Sequence, residues 1–423
     1  MIKEKVYPNG LRLIVDKNKR SKVVSAGIVV NIGSVIEEPH EYGLAHFMEH
    51  VMFKSTTTRH YKEASKLLEG LGIRYNALTS KQYTYYHFDC ILDSLREGLD
   101  IFADMFFNGL FDAEEIETEK QVVLEEMNMS EDYSDEILMH NLMTNMYDGK
   151  INAHPVLGDR SVIESATPAT LRAFKDKYYR AENMIISVVG DVDFDTIESY
   201  VSALFASHYT YEATPIPRLD VAIEPHIKSQ YVTVEKDEKQ VTLGIIIRAP
   251  RVKDRQYYAF DLYSQILGNG RCSRLFDRVR ERDGLCYMIG AHSLSSILAG
   301  SLVIDVSVAP EKLPQALDDI QEEIYGMIDS VTEEELKRIK TAIKTRLIFV
   351  GEHNGIMARC NANDIYDYGK VVSIAQETKK VDNVTLAEVN AIAKMIAKET
   401  KFVVCAVGKD VDVSVLKNHF KLG

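Results

Sequence analysis

The sequence predicts an α+β protein that is built from two structurally related halves. A buried strand, a glycine, an acidic turn and an amphipathic helix occur twice in that order. The first copy is Met184–Asp193 followed by Phe194–Leu204, and the second is Phe402–Asp412 followed by Val413–Phe420. The glycines of the two copies are 218 positions apart, about half of the 423-residue chain. A duplication is the simplest cause, although two independent βα units would give the same pattern.

A proline-rich segment separates the two halves. Residues 207–229 contain three of the ten prolines, which is typical of a linker. We therefore predict an N-terminal domain at residues 1–210, a linker at 211–228 and a C-terminal domain at 229–423. The chain is long enough for each domain to have its own core.

The elements of the first half follow from its local patterns. Alternating or continuous apolar residues predict strands, and apolar residues three and four positions apart predict helices. In chain order we predict a strand at Leu11–Val15, a strand at Val23–Ile32, a helix at about Glu41–Phe53, a helix at Tyr61–Leu71, a hairpin at residues 73–92, and helices at Leu92–Asn108 and Ala113–Asn128.

Composition narrows the class of protein. The hydrophobic content of 46% and the charged content of 27% are ordinary for a globular protein. The net charge of −13 argues against nucleic acid and anionic membranes as partners, because both attract basic surfaces. No apolar stretch is long enough to span a bilayer, and no signal-peptide core is present. The five cysteines include no C-x-x-C pair, so we expect reduced thiols and a cytoplasmic location.

One pentapeptide combines two imidazoles with a carboxylate. His46, Glu49 and His50 form the pattern H-x-x-E-H, the reverse of the commoner H-E-x-x-H. On a helix these three positions share one face, where two neutral imidazoles can ligate a divalent metal, zinc above all. The carboxylate would then lie beside the metal-bound water. Because the chain has 12 histidines, the pattern can also arise by chance. A further ligand is needed before the pattern indicates a metal site.

A third ligand can come from the charged helix that ends the first half. Glu119 and Glu126 are seven residues apart and therefore point the same way, whereas Glu125 points elsewhere. The chain has 63 acidic residues, however, and a glutamate on a charged helix is usually only solvated. Spacing alone leaves the third ligand open.

The motif and its spacing resemble the M16 (pitrilysin-type, inverzincin) family of zinc metallopeptidases. Glu126 lies 76 positions after His50, and Glu119 precedes it by seven, as in that family. The resemblance implies one Zn²⁺ per chain, ligated by His46, His50 and Glu126. It implies Glu49 as the catalytic base, and Glu119 as a carboxylate that orients a ligating histidine. The ligand set suits zinc, and manganese or cobalt stay open alternatives.

The resemblance extends to the second half and to substrate binding. Asn76 and Ala77 match the family's edge strand, to which substrate backbone adds as a further β-strand. Arg280 and Tyr287, which follow the glycine-containing segment Leu267–Phe276, match an Arg/Tyr pair that holds substrate. The alternative for Arg280 and Tyr287 is a surface arginine and a core tyrosine.

The fold and function that the resemblance implies are those of the two-domain, M16B-like branch, which is related to the mitochondrial processing peptidase subunits. The fold would be LuxS/MPP-like, with two homologous α/β sandwich halves, each a mostly antiparallel sheet packed with helices. The activity would be that of a zinc-dependent metalloendopeptidase that hydrolyses peptides or unfolded segments in an enclosed chamber, with Glu49 activating a zinc-bound water.

The same resemblance bears on assembly. Some relatives divide the zinc motif and the Arg/Tyr pair between two subunits, whereas this chain has both, so we expect a homodimer. A heterodimer with a related M16 subunit is the alternative. Two other functions stay open, namely a non-catalytic scaffold or partner subunit, and a peptidase dedicated to processing one precursor.

Overall fold

Two β-sheets organise the part of the chain that the computed structural model describes, which is residues 2–208 and 221–423. The strands are β1 (Ile2–Val6), β2 (Arg12–Lys17), β3 (Val24–Val30), β4 (Arg74–Thr79), β5 (Thr84–Cys90), β6 (Met184–Gly190), β7 (Tyr231–Glu235), β8 (Val241–Arg248), β9 (Cys286–Ser295), β10 (Gly300–Val308) and β11 (Phe402–Gly408).

Helices connect and cover these strands. They are α1 (Leu44–Val51), α2 (Tyr61–Gly70), α3 (Leu95–Asn108), α4 (Ala113–Asp132), α5 (Ser134–Met146), α6 (Arg160–Ser165), α7 (Pro168–Tyr178), α8 (Phe194–Leu204), α9 (Tyr257–Gly268), α10 (Leu313–Gly326), α11 (Glu333–Glu352), α12 (Asn354–Tyr368), α13 (Ile374–Asn383), α14 (Leu386–Ala397) and α15 (Val413–His419). A π-helical segment at Phe276–Arg282 precedes β9.

The two sheets share one topology. The first has the strand order β1-β2-β6-β3-β5-β4, and the second has β7-β11-β8-β10-β9. In each sheet one pair is parallel, β2 with β6 and β7 with β11, and the other pairs are antiparallel. Apart from β1, every strand of the first sheet therefore has a counterpart in the second. The prediction of an α+β fold with two related, mostly antiparallel halves is confirmed.

Helices cover both faces of the central strands, which explains their continuous apolar sequences. All residues of β3, β6 and β11 are buried. Strands covered on both faces lose the alternation of polar and apolar residues that a half-exposed strand shows. The edge strand β4 instead has one fully buried residue, Ala77, and within the described residues it pairs with β5 alone.

The two compact units do not follow the predicted boundaries 1–210 and 229–423. Within the described residues the first unit comprises 2–128, 155–208 and 348–372, and the second comprises 129–154, 221–347 and 373–423. Each unit thus includes one helix from the opposite half of the sequence, α12 in the first and α5 in the second.

Apolar packing explains this exchange of helices. Ala362 and Ile365 of α12 pack with Ile14, Val29 and Ile185 of the first sheet. In the second unit, Leu138 and Leu142 of α5 pack over Gly244 of β8, where an added Cβ would lie 2.8 to 2.9 Å from their methyl groups. Each helix fills a sheet face that would otherwise be exposed.

The predicted linker lies partly outside the described residues. Residues 211–220 belong to the part that is not described, and the chain from residue 221 onward belongs to the second unit. There the amide of Ile223 donates to the carbonyl of Leu298 at 2.8 Å. None of the helices in residues 2–208 and 221–423 is long and apolar enough to cross a membrane.

Candidate metal centre

Helix α1 presents the H-x-x-E-H motif from a buried position. Its apolar residues Leu44, Phe47, Met48 and Val51 are buried. The motif lies on another face of the helix, which contacts the edge strand β4 and the helix α4. The helix begins at Leu44 rather than at the predicted Glu41. Residues 39–41 form a separate 3₁₀ turn, and the intervening N-cap glycine has a φ of +96° that L-residues avoid.

The predicted ligands lie together. His46 Nε2 is 3.6 Å and His50 Nε2 is 3.7 Å from Glu126 Oε2, and one donor atom from each residue lies within 4.8 Å of the others. No other group of this kind occurs among residues 2–208 and 221–423. Ligand atoms of a tetrahedral zinc with bonds of about 2.0–2.1 Å are about 3.3 Å apart, so small side-chain rotations would close the site.

The protonation pattern of the two imidazoles fits a metal. The hydrogen bond to His50 Nδ1, at 3.1 Å, lowers the pKa of Glu119, so this carboxylate is ionised and can only accept. Whenever the His50 ring is neutral, it therefore donates through Nδ1 and leaves the lone pair of Nε2 for a cation. Burial lowers the pKa of His50, but the hydrogen bond to Glu119 and the surrounding carboxylates outweigh burial and raise it, so that a cation must displace a proton there. Burial, followed by the effect of His50, lowers the pKa of His46 to about 4, which favours the neutral form of that ring.

Glu49 has the placement of a base beside these ligands. It is half-buried, and Thr79 at the end of β4 donates a 2.5 Å hydrogen bond to its Oε2. Burial raises the pKa of Glu49, which the hydrogen bond from Thr79 only partly opposes. One carboxylate oxygen is held by the sheet, and the other remains for a proton.

Two contacts of the centre were not predicted from the sequence. Thr79 orients Glu49, and Lys54 forms an ion pair with Glu119 through the oxygen that does not face His50. The Lys54 ammonium also lies 5.3 Å from the centre of the Tyr61 ring. The pattern of one helix cannot show these contacts, although Lys54 comes one turn after His50.

The Asn76 side chain occupies one backbone amide of β4, the strand to which substrate is expected to add. β4 lies at one edge of the first sheet, and within the described residues it pairs with β5 alone. The Ala77 amide donates to Asn76 Oδ1 at 2.9 Å. An added strand that uses this amide must therefore first displace the Asn76 side chain.

Arg280 and Tyr287 lie together in the second unit. Arg280 Nε donates to the Tyr287 carbonyl at 3.0 Å, and its guanidinium lies 4.9 Å from the Phe276 ring and 5.9 Å from the Tyr287 ring. The Tyr287 side chain is 83% exposed, which excludes the alternative of a core tyrosine. The π-helical segment that carries Arg280 is anchored by Arg278, which donates to Asp283 and Asp319, each at 3.0 Å.

The protein thus has a duplicated α+β scaffold with one His-His-Glu cluster in its first unit, and these two features define its class. Comparison with known proteins gives the family. Residues 12–160 match the family model described as insulinase (peptidase family M16), and residues 165–343 match the one described as peptidase M16 inactive domain.

Relatives match over almost the whole chain. An uncharacterised zinc protease of Bacillus subtilis is 30% identical over 402 residues, which cover 94% of this chain and 96% of that protein. An uncharacterised zinc protease of Rickettsia felis is 28% identical, with 92% and 93% covered. This chain belongs to the M16 peptidase family.

Solved structures show the same fold. The crystal structure of a protease from Helicobacter pylori matches with a TM-score of 0.88 at 21% identity, covering 96% of this chain and 99% of that one. A structure described as peptidase M16 inactive domain from Pseudomonas fluorescens matches with a TM-score of 0.87 at 20% identity, covering 97% and 98%.

Replacing Glu119 by Gln is expected to lower zinc affinity by about 10- to 100-fold, because the charge that orients and polarises His50 is lost. Competition with a chelating dye measures this affinity. Glu117→Gln is the matched control, since Glu117 lies on the same helix, is exposed and, within the described part of the chain, pairs with Lys120 and Gln121 rather than with a histidine. Equal affinities of the two variants would show that Glu119 does not support the centre.

Proposed function

We propose that this protein is a zinc-dependent endopeptidase that hydrolyses peptides or unfolded protein segments. The proposal rests mainly on the observation that His46, His50 and Glu126 lie together, with Glu49 beside them. The zinc proteases of Bacillus subtilis and Rickettsia felis, which match over nearly the whole chain, support it.

The proposed chemistry divides between the metal and the protein. Zinc, held by His46, His50 and Glu126, would lower the pKa of a bound water and polarise the scissile carbonyl. Glu49 accepts a proton from the attacking water and then donates it to the leaving amine. Thr79 keeps the Glu49 carboxylate in one orientation during both transfers.

Substrate positioning would use one strand edge and one side-chain pair. An extended peptide adds to the free edge of β4, where it takes over the Ala77 amide from Asn76. Arg280 and Tyr287 bind main-chain carbonyls of the substrate. The contacts between Arg280 and Tyr287 arrange them before substrate arrives, which reduces the entropy lost on binding.

Two other functions are compatible with the family. A non-catalytic scaffold would be expected to lack ligands or base, whereas all four residues are present. The model described as inactive covers residues 165–343, and the proposed ligands lie before it, within residues 12–160. A peptidase dedicated to one precursor would have the same centre, and profiling the products from a mixed peptide library distinguishes it from a general oligopeptidase.

Glu49→Gln is expected to lower kcat on a quenched peptide by about 10²- to 10⁴-fold, because the variant cannot accept the proton of water. Zinc content should be retained, since Glu49 is not a proposed ligand. Glu125→Gln, at an exposed position of α4, is the control and should keep both zinc and activity. Full activity of Glu49→Gln would contradict the mechanism, and a wild-type protein without zinc or cleavage would favour the scaffold.

We propose further that the active form is a homodimer whose subunits enclose the chamber, because one chain has both the zinc motif and the Arg/Tyr pair. Light scattering during size-exclusion chromatography should give twice the mass of one chain in the fractions that cleave peptide. An active monomer would refute this assembly, and activity that requires a second, different M16 chain would support the heterodimer. The cytoplasmic location stays a prediction.

A further inference from the structure

A buried glutamate outside the metal cluster contacts the start of the metal-bearing helix. Glu37 is only 3% exposed, and both of its carboxylate oxygens accept backbone hydrogen bonds. Oε2 accepts from the amide of Gly43 at 2.9 Å, and Oε1 accepts from the amide of Ala45 at 2.7 Å. Ala45 immediately precedes the proposed ligand His46.

These two bonds replace a cap that the helix cannot provide itself. The first amides of a helix have no partner within the helix, and a side chain at the N-cap usually accepts one of them. The N-cap of α1 is Gly43, which has no side chain. A Cβ added to Gly43 would lie 2.6 Å from the Leu157 carbonyl oxygen, so no capping residue fits there. Glu37 therefore supplies the cap from six residues earlier in the chain.

Glu37 also faces the turn between β4 and β5. The carbonyl of Lys81 in this turn accepts from the amide of Val35 at 2.9 Å, which holds the Glu37 segment against the hairpin. Burial raises the pKa of Glu37 to about 7, while the two backbone amides and Lys81 oppose the rise and Glu41 adds to it. Burial lowers the pKa of Lys81 to about 8 against the effect of Glu37.

The same hairpin also holds the base. Thr79, two residues before Lys81, donates to Glu49. The hairpin thus contacts α1 at its start, through Glu37, and again at the motif, through Thr79. A shift of the helix start relative to the hairpin would move His46 and would change the distance between Thr79 and Glu49.

We propose that Glu37 is a positioning residue that fixes the start of the metal-bearing helix against the β4–β5 hairpin. Its effect on metal and catalysis rests on the proposed function, whereas its effect on the helix start does not. Catalysis is sensitive to such positioning, because small displacements of reacting groups cost large factors in rate.

Glu37→Gln tests this role. The variant has the same shape, but one acceptor oxygen is replaced by an NH₂ group, which cannot accept the hydrogen bond from Gly43 or Ala45 that this oxygen accepted. We expect amide hydrogen exchange at these two residues to become about tenfold faster, because a hydrogen bond to a charged acceptor is lost. We also expect zinc affinity to fall by about tenfold, and kcat to fall by about tenfold with KM changed less than about twofold.

Glu38→Gln is the matched control. Glu38 is the next residue, is exposed, and pairs with Lys177 at 2.7 Å instead of with α1. It should keep wild-type exchange, zinc affinity and kcat. A general loss of stability in Glu37→Gln would speed exchange in both sheets alike, whereas the proposal requires the change to be confined to the start of α1.

The outcomes separate the inference from the proposed function. Wild-type exchange at Gly43 and Ala45 with unchanged zinc affinity in Glu37→Gln would overturn the inference and leave the peptidase intact. If Glu37→Gln does not fold, Glu37→Asp, whose shorter side chain withdraws the carboxylate from the two amides, decides by the same exchange measurement, with faster exchange in support and wild-type exchange against. If the wild-type protein neither binds zinc nor cleaves peptides, the proposed function fails, and exchange at the helix start alone decides the role of Glu37.

Discussion

The candidate centre depends on the position of one short helix. α1 has eight residues, too few to be stable alone, so contacts from outside must hold it. Glu37 binds its start, Thr79 binds Glu49, the proposed base, and Glu119 binds His50 near its end. These contacts come from a loop, a strand and a second helix. The three ligand atoms converge because α1 is held at three points along its length.

The duplicated topology separates scaffold from chemistry. β4 and β9 occupy the same outer position in their sheets. β3 and β8 also occupy equivalent positions, and each is followed along the chain by a helix. In the first half that helix is α1, with His46 and His50. Its counterpart α9, at Tyr257–Gly268, contains no histidine or glutamate. The second half instead presents Arg280 just before its edge strand β9 and Tyr287 on that strand. The same fold therefore carries the candidate metal centre in one half and a different polar cluster in the other.

Local patterns predicted the elements well because burial determines them. The strands at Met184–Gly190 and Phe402–Gly408 are apolar except for Ser187, and both are fully buried. The prediction of Glu126 as a ligand required the family resemblance in addition to spacing, since α4 also contains exposed glutamates such as Glu117 and Glu125. The geometry brings Glu126 to His46 and His50, which spacing alone left open.

Contacts between distant residues account for what the sequence could not predict. The apolar faces of α5 and α12 show that each helix is covered, but the sequence does not say by which sheet, and each packs in the unit of the opposite half. Thr79 reaches Glu49 across thirty positions, and Glu37 reaches a helix that begins seven residues later. The hydrogen bond from the Ala77 amide to Asn76 could not be predicted from the sequence either, because an exposed asparagine on a strand has many possible partners.

X-ray absorption at the zinc edge of the zinc-loaded protein tests the central claim most directly, because it identifies the ligand atoms themselves. The account predicts one zinc per chain, two imidazole nitrogens at about 2.0–2.1 Å and further oxygen ligands at about 2.0–2.2 Å. One imidazole contribution should disappear in His46→Ala. A thiolate ligand from any of the five cysteines, or a spectrum that His46→Ala leaves unchanged, would contradict the account.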